Sequence, residues 1–256
     1  MFENPDYIVI GSGSAGSTIA YRLGENPSNQ VLVLEFGGSD FSPFIQMPAA
    51  LSYPMNMPKF DWGYKAEPEP ELNGRSLVCP RGKVMGGSSS INGMIYVRGN
   101  PGDYHEWARS GAKGWGYQDV LPYFQRMEKS HGGTSEFRGS DGPLHVTHGK
   151  RDNPLHEAFV SAAQQAGYER TEDYNGYRQE GFGPADMTVY NGSRFSTAKA
   201  YLKPALTKKN VKLVTRALVD KIIFEGKKAV GVEFFHQGQK KIIKVKKDVI
   251  LSAGSI

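Results

Sequence analysis

With 256 residues, 39% of them hydrophobic and 22% charged, the chain has a globular rather than a disordered composition, with room for one large domain or two small ones. No apolar run is long enough to suggest a transmembrane helix, and the Met1–Pro5 start lacks the basic region and small-residue cleavage site of a secretory signal. Much of the net charge of +5 lies in the lysines between Lys203 and Lys247, which read as a solvated sheet edge; no aromatic-plus-basic pattern typical of nucleic-acid modules appears, and a weak attraction to an anionic membrane surface stays open.

Tyr7-Ile8-Val9-Ile10 is a short apolar run ending in glycine, as expected of a strand buried on both faces of a parallel sheet. Ile19, Ala20 and Leu23 recur at helical spacing over Ala15–Gly24, and Val31-Leu32-Val33-Leu34 is a second buried strand, so residues 7–35 predict a βαβ unit. Between residues 37 and 80 repeated prolines exclude any long regular element, and a long irregular segment of this kind is expected to lie over a ligand. Helices are predicted over Tyr117–Met127, from Asn153-Pro154 to Gly167, and over Thr197–Leu206. The middle one carries a stripe of Leu155, Phe159, Ala162, Ala163 and Ala166. Pro143–Thr147 is a candidate strand. Val211–Val214, Leu218–Phe224, Ala229–Phe235 and Ile242–Val245 predict a β-meander, and Asp248–Gly254 predicts a final buried strand running into a glycine turn. The single cysteine, Cys79, excludes an internal disulfide and fits a reducing compartment.

Gly11-Ser12-Gly13-Ser14-Ala15-Gly16 joins the first predicted strand to the first helix, and Glu35 ends the second strand. That context makes the glycine pattern a dinucleotide fingerprint. Gly11 permits the tight turn, Gly13 lets backbone approach a pyrophosphate, Gly16 lets the helix close on the strand, and the loop residues Ser14 and Ala15 open the helix whose N–H groups face the phosphates. Glu35 is expected to accept hydrogen bonds from ribose hydroxyls and to repel a 2′-phosphate. The motif leaves NAD and FAD both open.

The segment Arg81-Gly82-Lys83-Val84-Met85-Gly86-Gly87-Ser88-Ser89-Ser90-Ile91-Asn92-Gly93 is similar to the first signature of the glucose–methanol–choline (GMC) oxidoreductases. Met94–Asn100, Asp103-Tyr104 with Trp107, Gln46–Leu51, Asp61-Trp62, Asn175-Gly176 and Gln179–Pro184 resemble the choline dehydrogenases of that family. Val249–Ile256 resembles the entry to the second family signature, cut before its Ser-Pro, so the resemblance covers essentially the whole chain and implies the N-terminal portion of a longer enzyme. It implies FAD rather than NAD. Gly86 and Gly87 would let backbone N–H groups approach the flavin diphosphate or isoalloxazine edge, Ser88 and Ser89 would add hydroxyls, Asn92 would meet the pyrimidine edge, Gly93 would belong to the same cofactor-binding segment, and Arg81 would balance phosphate charge. Val219 matches a position touching adenine, Ala253 lies in the second signature, and Trp62 is expected against the flavin or in the core. Some relatives bind FAD covalently through a histidine; the matching position here is Ile91, which implies non-covalent FAD.

The resemblance further implies a small-molecule alcohol substrate, choline, oxidised to betaine aldehyde by hydride transfer to flavin N5, with an electron acceptor other than NAD. It places the catalytic histidine outside this chain. None of His105, His131, His145, His148, His156 or His236 lies in a catalytic motif, His145-x-x-His148 is too weak a pattern for a metal pair, and no catalytic or metal residue is assigned. The expected fold class is α/β: a discontinuous Rossmann-like FAD-binding domain over 1–115 and 196–256, with 116–195 as part of an α+β substrate domain. The expected location is the cytoplasm or the cytoplasmic face of the membrane. A GMC dehydrogenase for another primary alcohol and a non-catalytic dinucleotide-binding module stay open as alternatives.

Overall fold

The computed structural model describes residues 2–133, 135–150 and 152–256. They form two compact units, one of residues 1–93 with 192–256 and one of residues 94–191.

The first unit is built on a four-stranded parallel sheet. β1 (Tyr7–Ile10) leads through helix α1 (Ser14–Leu23) to β2 (Val31–Glu35), the predicted βαβ unit. β3 (Val211–Thr215) pairs with the outer side of β2, and the last strand, β7 (Asp248–Leu251), pairs with β1, giving the order β3-β2-β1-β7. Because successive side chains of a strand point to opposite faces, one sheet needs two covers. On one face Val9, Val31 and Val33 pack against Ala20 of α1 and against Ala198, Leu202 and Ala205. The latter three come from a π-helical turn, Ala198–Leu202, that continues into the short helix Lys203–Leu206. On the other face Ile8, Ile10, Leu32 and Leu34 pack against Ala217, Val232, Phe234 and Ile243 of an antiparallel meander. That meander comprises β4 (Ala217–Glu225), β5 (Lys228–His236) and β6 (Gln239–Lys244). The fully buried Val31–Leu34 run is thus the shared floor of both cores.

Two expectations for this unit are corrected. Val211–Thr215 does not belong to the meander; it joins the parallel sheet, in register with Val31–Glu35. β7 is not buried on both sides: it pairs with β1 alone, and Leu251 is 68% exposed. The irregular stretch after β2 consists of short helical turns, Pro43–Gln46, Pro48–Ala50, Pro54–Asn56 and Pro70–Leu72, each opened by the proline that a first helical turn tolerates. It closes its own small core of Ile45, Phe60, Val84 and Ile91.

The second unit has a three-stranded sheet of Glu128–Ser130, Leu144–His148 and Asp186–Met187. Its helices are Pro101–Arg109, Tyr117–Met127 and Pro154–Gln165. The last of these buries Val160 and Ala163, whereas Leu155 and Phe159 of the expected stripe are exposed. The centre of the unit is ionic. The Glu128 carboxylate is buried between Arg98 and Arg138, and accepts from Arg138 Nε at 2.7 Å. Arg138 Nη1 also donates to Asp173 at 2.7 Å and to Asp186 at 2.8 Å. Burial, reinforced by Glu128, pushes the neighbouring Tyr96 phenol up to about 12, so it stays protonated at neutral pH.

Breaking one member of such a buried network leaves uncompensated charge behind, at a cost of about 3–5 kcal/mol. Glu128→Gln should therefore lower the denaturant midpoint substantially in chemical unfolding followed by circular dichroism. Glu106→Gln, which breaks the exposed Arg109–Glu106 pair, should leave the midpoint unmoved.

Candidate functional site

The carboxyl ends of β1 and β2 open onto a cavity of about 670 Å³ in the first unit. Three glycines of the first loop contribute in different ways. Gly11 has φ of +90°, and a Cβ on it would lie 2.5 Å from the Ser252 carbonyl oxygen, so loop and last strand could not close together around a larger residue. A Cβ on Gly16 would lie 2.0 Å from Gly11 O, so helix and loop touch there. A Cβ on Gly13 would meet only Gly87 Cα, at 3.8 Å. Packing within the protein does not demand glycine at 13, which lines the cavity. Gly13 is also the cap of α1 and has no side chain to satisfy the first N–H groups, so the positive end of the helix is left to the cavity.

The second glycine loop is seated directly on the first. Gly86 donates its N–H to Ser12 O at 2.9 Å. At Gly87, whose φ is +53°, a Cβ would fall 2.7 Å from Gly13 Cα. Glu35 holds the same corner from the sheet. Its Oε2 accepts from the Ser12 N–H and the Ser12 hydroxyl, both at 2.8 Å, and its Oε1 accepts from the Gly37 N–H at 2.7 Å. A carboxylate offers about four acceptor directions, so three are used internally and one remains for a ligand.

Of the residues singled out from sequence, Gly11, Gly13, Ser14, Ala15 and Glu35 line this cavity. So do Trp62, Arg81, Gly87 and Ser88 from the long loop and second motif, Val219 from β4, and Ala253 from the turn after β7. Gly16 and Gly86 lie behind the wall, as packing positions. Asn92 lines a separate cavity of about 350 Å³ that shares Arg81 and Ser88 with the larger one, and Gly93 lines neither. The Ser89 hydroxyl, expected to face a ligand, instead donates to Gly86 O at 2.6 Å and sits 2.8 Å from Thr197 Oγ1. Trp62 is neither isolated nor in the core: it stacks between Phe36, at 4.9 Å between ring centres, and Tyr64, at 6.0 Å. Phe36, Tyr64 and Leu218 also line the cavity, and no motif marks them; only Phe36, directly after Glu35, had a positional signal.

Among the described residues no histidine lines the large cavity. His131 Nε2 lies 2.9 Å from His145 Nδ1, and burial, then His131, then Lys129 hold His145 below the usual histidine range. His148 pairs with Asp186 at 2.5 Å. Among the described residues no group of His, Cys, Asp and Glu could hold a metal ion, and no helix is long and apolar enough to cross a membrane.

The two glycine loops meeting at a helix N-terminus, with a carboxylate at the end of β2, are the arrangement that the two sequence signatures imply, and the GMC oxidoreductase family profile matches residues 5–256. The chain belongs to the GMC oxidoreductase family. Among curated relatives it is 59% identical, over 251 residues, to an oxygen-dependent choline dehydrogenase of Brucella anthropi, covering 98% of this chain and 46% of that protein. A protein of the same name from Sinorhizobium fredii is 58% identical over 250 residues, covering 98% and 45%. The chain spans about half the length of the curated relatives it matches. Among solved structures, pyridoxine 4-oxidase from Mesorbium loti superposes with a TM-score of 0.93 at 32% identity, covering 98% of this chain and 50% of that one. A formate oxidase gives 0.89 at 27% identity, covering 99% and 46%. The α/β, Rossmann-like architecture expected from the sequence is the architecture of these family members.

The glycine geometry separates packing from ligand contact. Gly13→Ala should lower the melting temperature of the ligand-free chain only modestly, because it meets no steric clash and loses about 1 kcal/mol at most from the preference for glycine over alanine at a helix cap. Gly16→Ala should lower it sharply, because a Cβ forced onto a backbone oxygen is overpacking of about 1–3 kcal/mol or more. Differential scanning calorimetry of the two variants checks the order.

Proposed function

We propose that this chain is the FAD-binding portion of an FAD-dependent choline dehydrogenase, holding its flavin non-covalently. The observation that carries the FAD reading is the absence of any steric demand for glycine at 13, beside the uncapped end of α1. A space left open against bare helix N–H groups is what a diphosphate fills. Ser14 and Ala15 would present those N–H groups, and Arg81 would supply the balancing cation. Glu35 would use its remaining acceptor direction on a ribose hydroxyl, with Val219 against adenine. Arg81 and Ser88 stand where the two cavities join, with Gly87 on the larger side and Asn92 on the smaller, so the flavin ring is assigned to the smaller one. Trp62 would close the larger cavity with its stacked neighbours, and Ala253 its floor. Ile91, at the position where some relatives carry the covalent histidine, is 2% exposed and packed with Ile45, Phe60 and Val84, so it offers no nucleophile.

FAD, when bound, supplies the hydride acceptor for alcohol oxidation. The residues of this chain bind and orient it and shield it from water; no group among them is assigned as the base that takes the hydroxyl proton. Choline is favoured as substrate by the 59% identity to choline dehydrogenases, against 32% to pyridoxine 4-oxidase, and the name of the former group adds dioxygen as acceptor. A place in the cytoplasm or on the cytoplasmic face of the membrane belongs to the same reading.

Titration of the purified chain with FAD should quench flavin fluorescence and give a bound-flavin spectrum, and acid precipitation should release all of the flavin to the supernatant. Gly13→Ala should weaken binding about tenfold or more, or about 1.4 kcal/mol. Flavin retained in the pellet contradicts non-covalent binding. In the protein that carries the catalytic half as well, anaerobic choline should bleach the flavin faster than pyridoxine or benzyl alcohol; the reverse order contradicts the substrate assignment.

A further inference from the structure

Arg194 ends the short strand Ser193–Arg194, and it is among the largest side chains of the chain to be fully buried. A guanidinium in that position ordinarily has a carboxylate partner. This one has none among the described residues. Its Nε donates to Ile45 O at 2.8 Å. Its Nη1 donates to Asn92 O at 2.7 Å, to Asn92 Oδ1 at 2.8 Å and to Ser89 O at 3.3 Å. Its Nη2 is buried with no hydrogen-bond partner. Burial alone pushes the group down to about 10, so it stays charged at neutral pH.

The charge is not compensated nearby. Lys199 Nζ donates to Ser193 Oγ at 2.7 Å and to Arg194 O at 2.8 Å, neither an anion. The buried carboxylate of Asp40 is taken by Lys203 at 2.8 Å. The region behind the second glycine loop therefore carries an excess of positive charge in a poorly solvated place, where its field is weakly screened.

The acceptors of Arg194 matter as much as its charge. Ser89 O and Asn92 O lie at the carbonyl end of the 3-10 turn Gly87–Ser90, whose other end faces the large cavity through Gly87 and Ser88. Holding the carbonyl end fixes the tilt of the turn. The bond to Asn92 Oδ1 also fixes which way that carboxamide points, with its nitrogen turned from the guanidinium. Ile45 O ties the Pro43–Gln46 turn to the same fork.

We propose that Arg194 is the positioning residue of the flavin-side loop: it fixes the Ser89–Asn92 turn and the Asn92 carboxamide from behind, and its uncompensated buried charge favours electron uptake by the bound cofactor. The inference rests on the FAD reading above and deepens it. Arg194 touches neither cavity, so it acts through Asn92 and through its field.

Three variants of the purified chain separate fork from charge. Arg194→Lys keeps the charge and loses the planar fork. Arg194→Gln loses the charge. Asn92→Ala removes only the exposed acceptor side chain. FAD affinity is read by fluorescence, and the midpoint potential of bound flavin by equilibration with a dye of known potential. Arg194→Lys should bind FAD about tenfold more weakly, or about 1.4 kcal/mol, with an unchanged potential; Arg194→Gln should bind as weakly and have a lower potential. Where Arg194→Gln does not fold, the pair Arg194→Lys and Asn92→Ala decides. If one acts through the other, the double variant loses little more than the worse single one, whereas full additivity overturns the proposal. Wild-type affinity and potential in both Arg194 variants overturns it while the FAD reading stands. A wild-type chain that takes up no FAD removes the FAD reading first, and this inference with it.

Discussion

Gly87 approaches Gly13 more closely than a side chain on Gly87 would allow. Each belongs to a loop that is far from the other in sequence, and a single methyl on Gly87 would stand 2.7 Å from Gly13 Cα. The Gly86 N–H to Ser12 O bond locks the same junction. Because the loops abut, the N-terminal end of α1 and the 3-10 turn of the second motif face one space instead of two. Separate them by the width of a side chain, and the helix end would face solvent while the second loop faced nothing.

The rest of the first unit keeps that junction where it is. β1 and β2 are clamped by apolar cores on both faces, so their carboxyl ends cannot shift independently. Glu35 then transmits the position of β2 to the loop, through the N–H and hydroxyl of Ser12. This buried carboxylate both organises the loop and lines the cavity, with one acceptor direction left toward it. Arg194 performs the corresponding task for the second loop from the opposite side, donating to carbonyls where Glu35 accepts from N–H groups.

Much of this was legible in the sequence because it depends on local rules. The βαβ unit follows from two apolar runs around a helical period, and the close packing at Gly11 and Gly16 follows from their order at a strand–helix junction. What could not be read depends on pairing over distance. Val211–Thr215 has the same alternation as the meander strands after it; only the free side of β2 distinguishes its true partner. Leu251 has the composition of a buried strand but lies at an edge. Ser88 and Ser89 are neighbours of equal chemistry, yet the turn points one toward the cavity and the other at Gly86 O. Arg194 was invisible because a lone arginine in a loop-rich segment normally reads as a surface charge. The Phe36–Trp62–Tyr64 stack joins two segments that only the fold brings together.

The central claim is that the junction of the two glycine loops holds the diphosphate of a flavin adenine dinucleotide, with its adenosine half in the larger cavity. Competition calorimetry tests it directly, by titrating FAD into the chain in the presence of ADP, and separately of FMN. ADP should weaken the apparent affinity for FAD in proportion to its concentration, and FMN, lacking the adenosine half, should compete poorly. Strong competition by FMN with none by ADP would contradict the account.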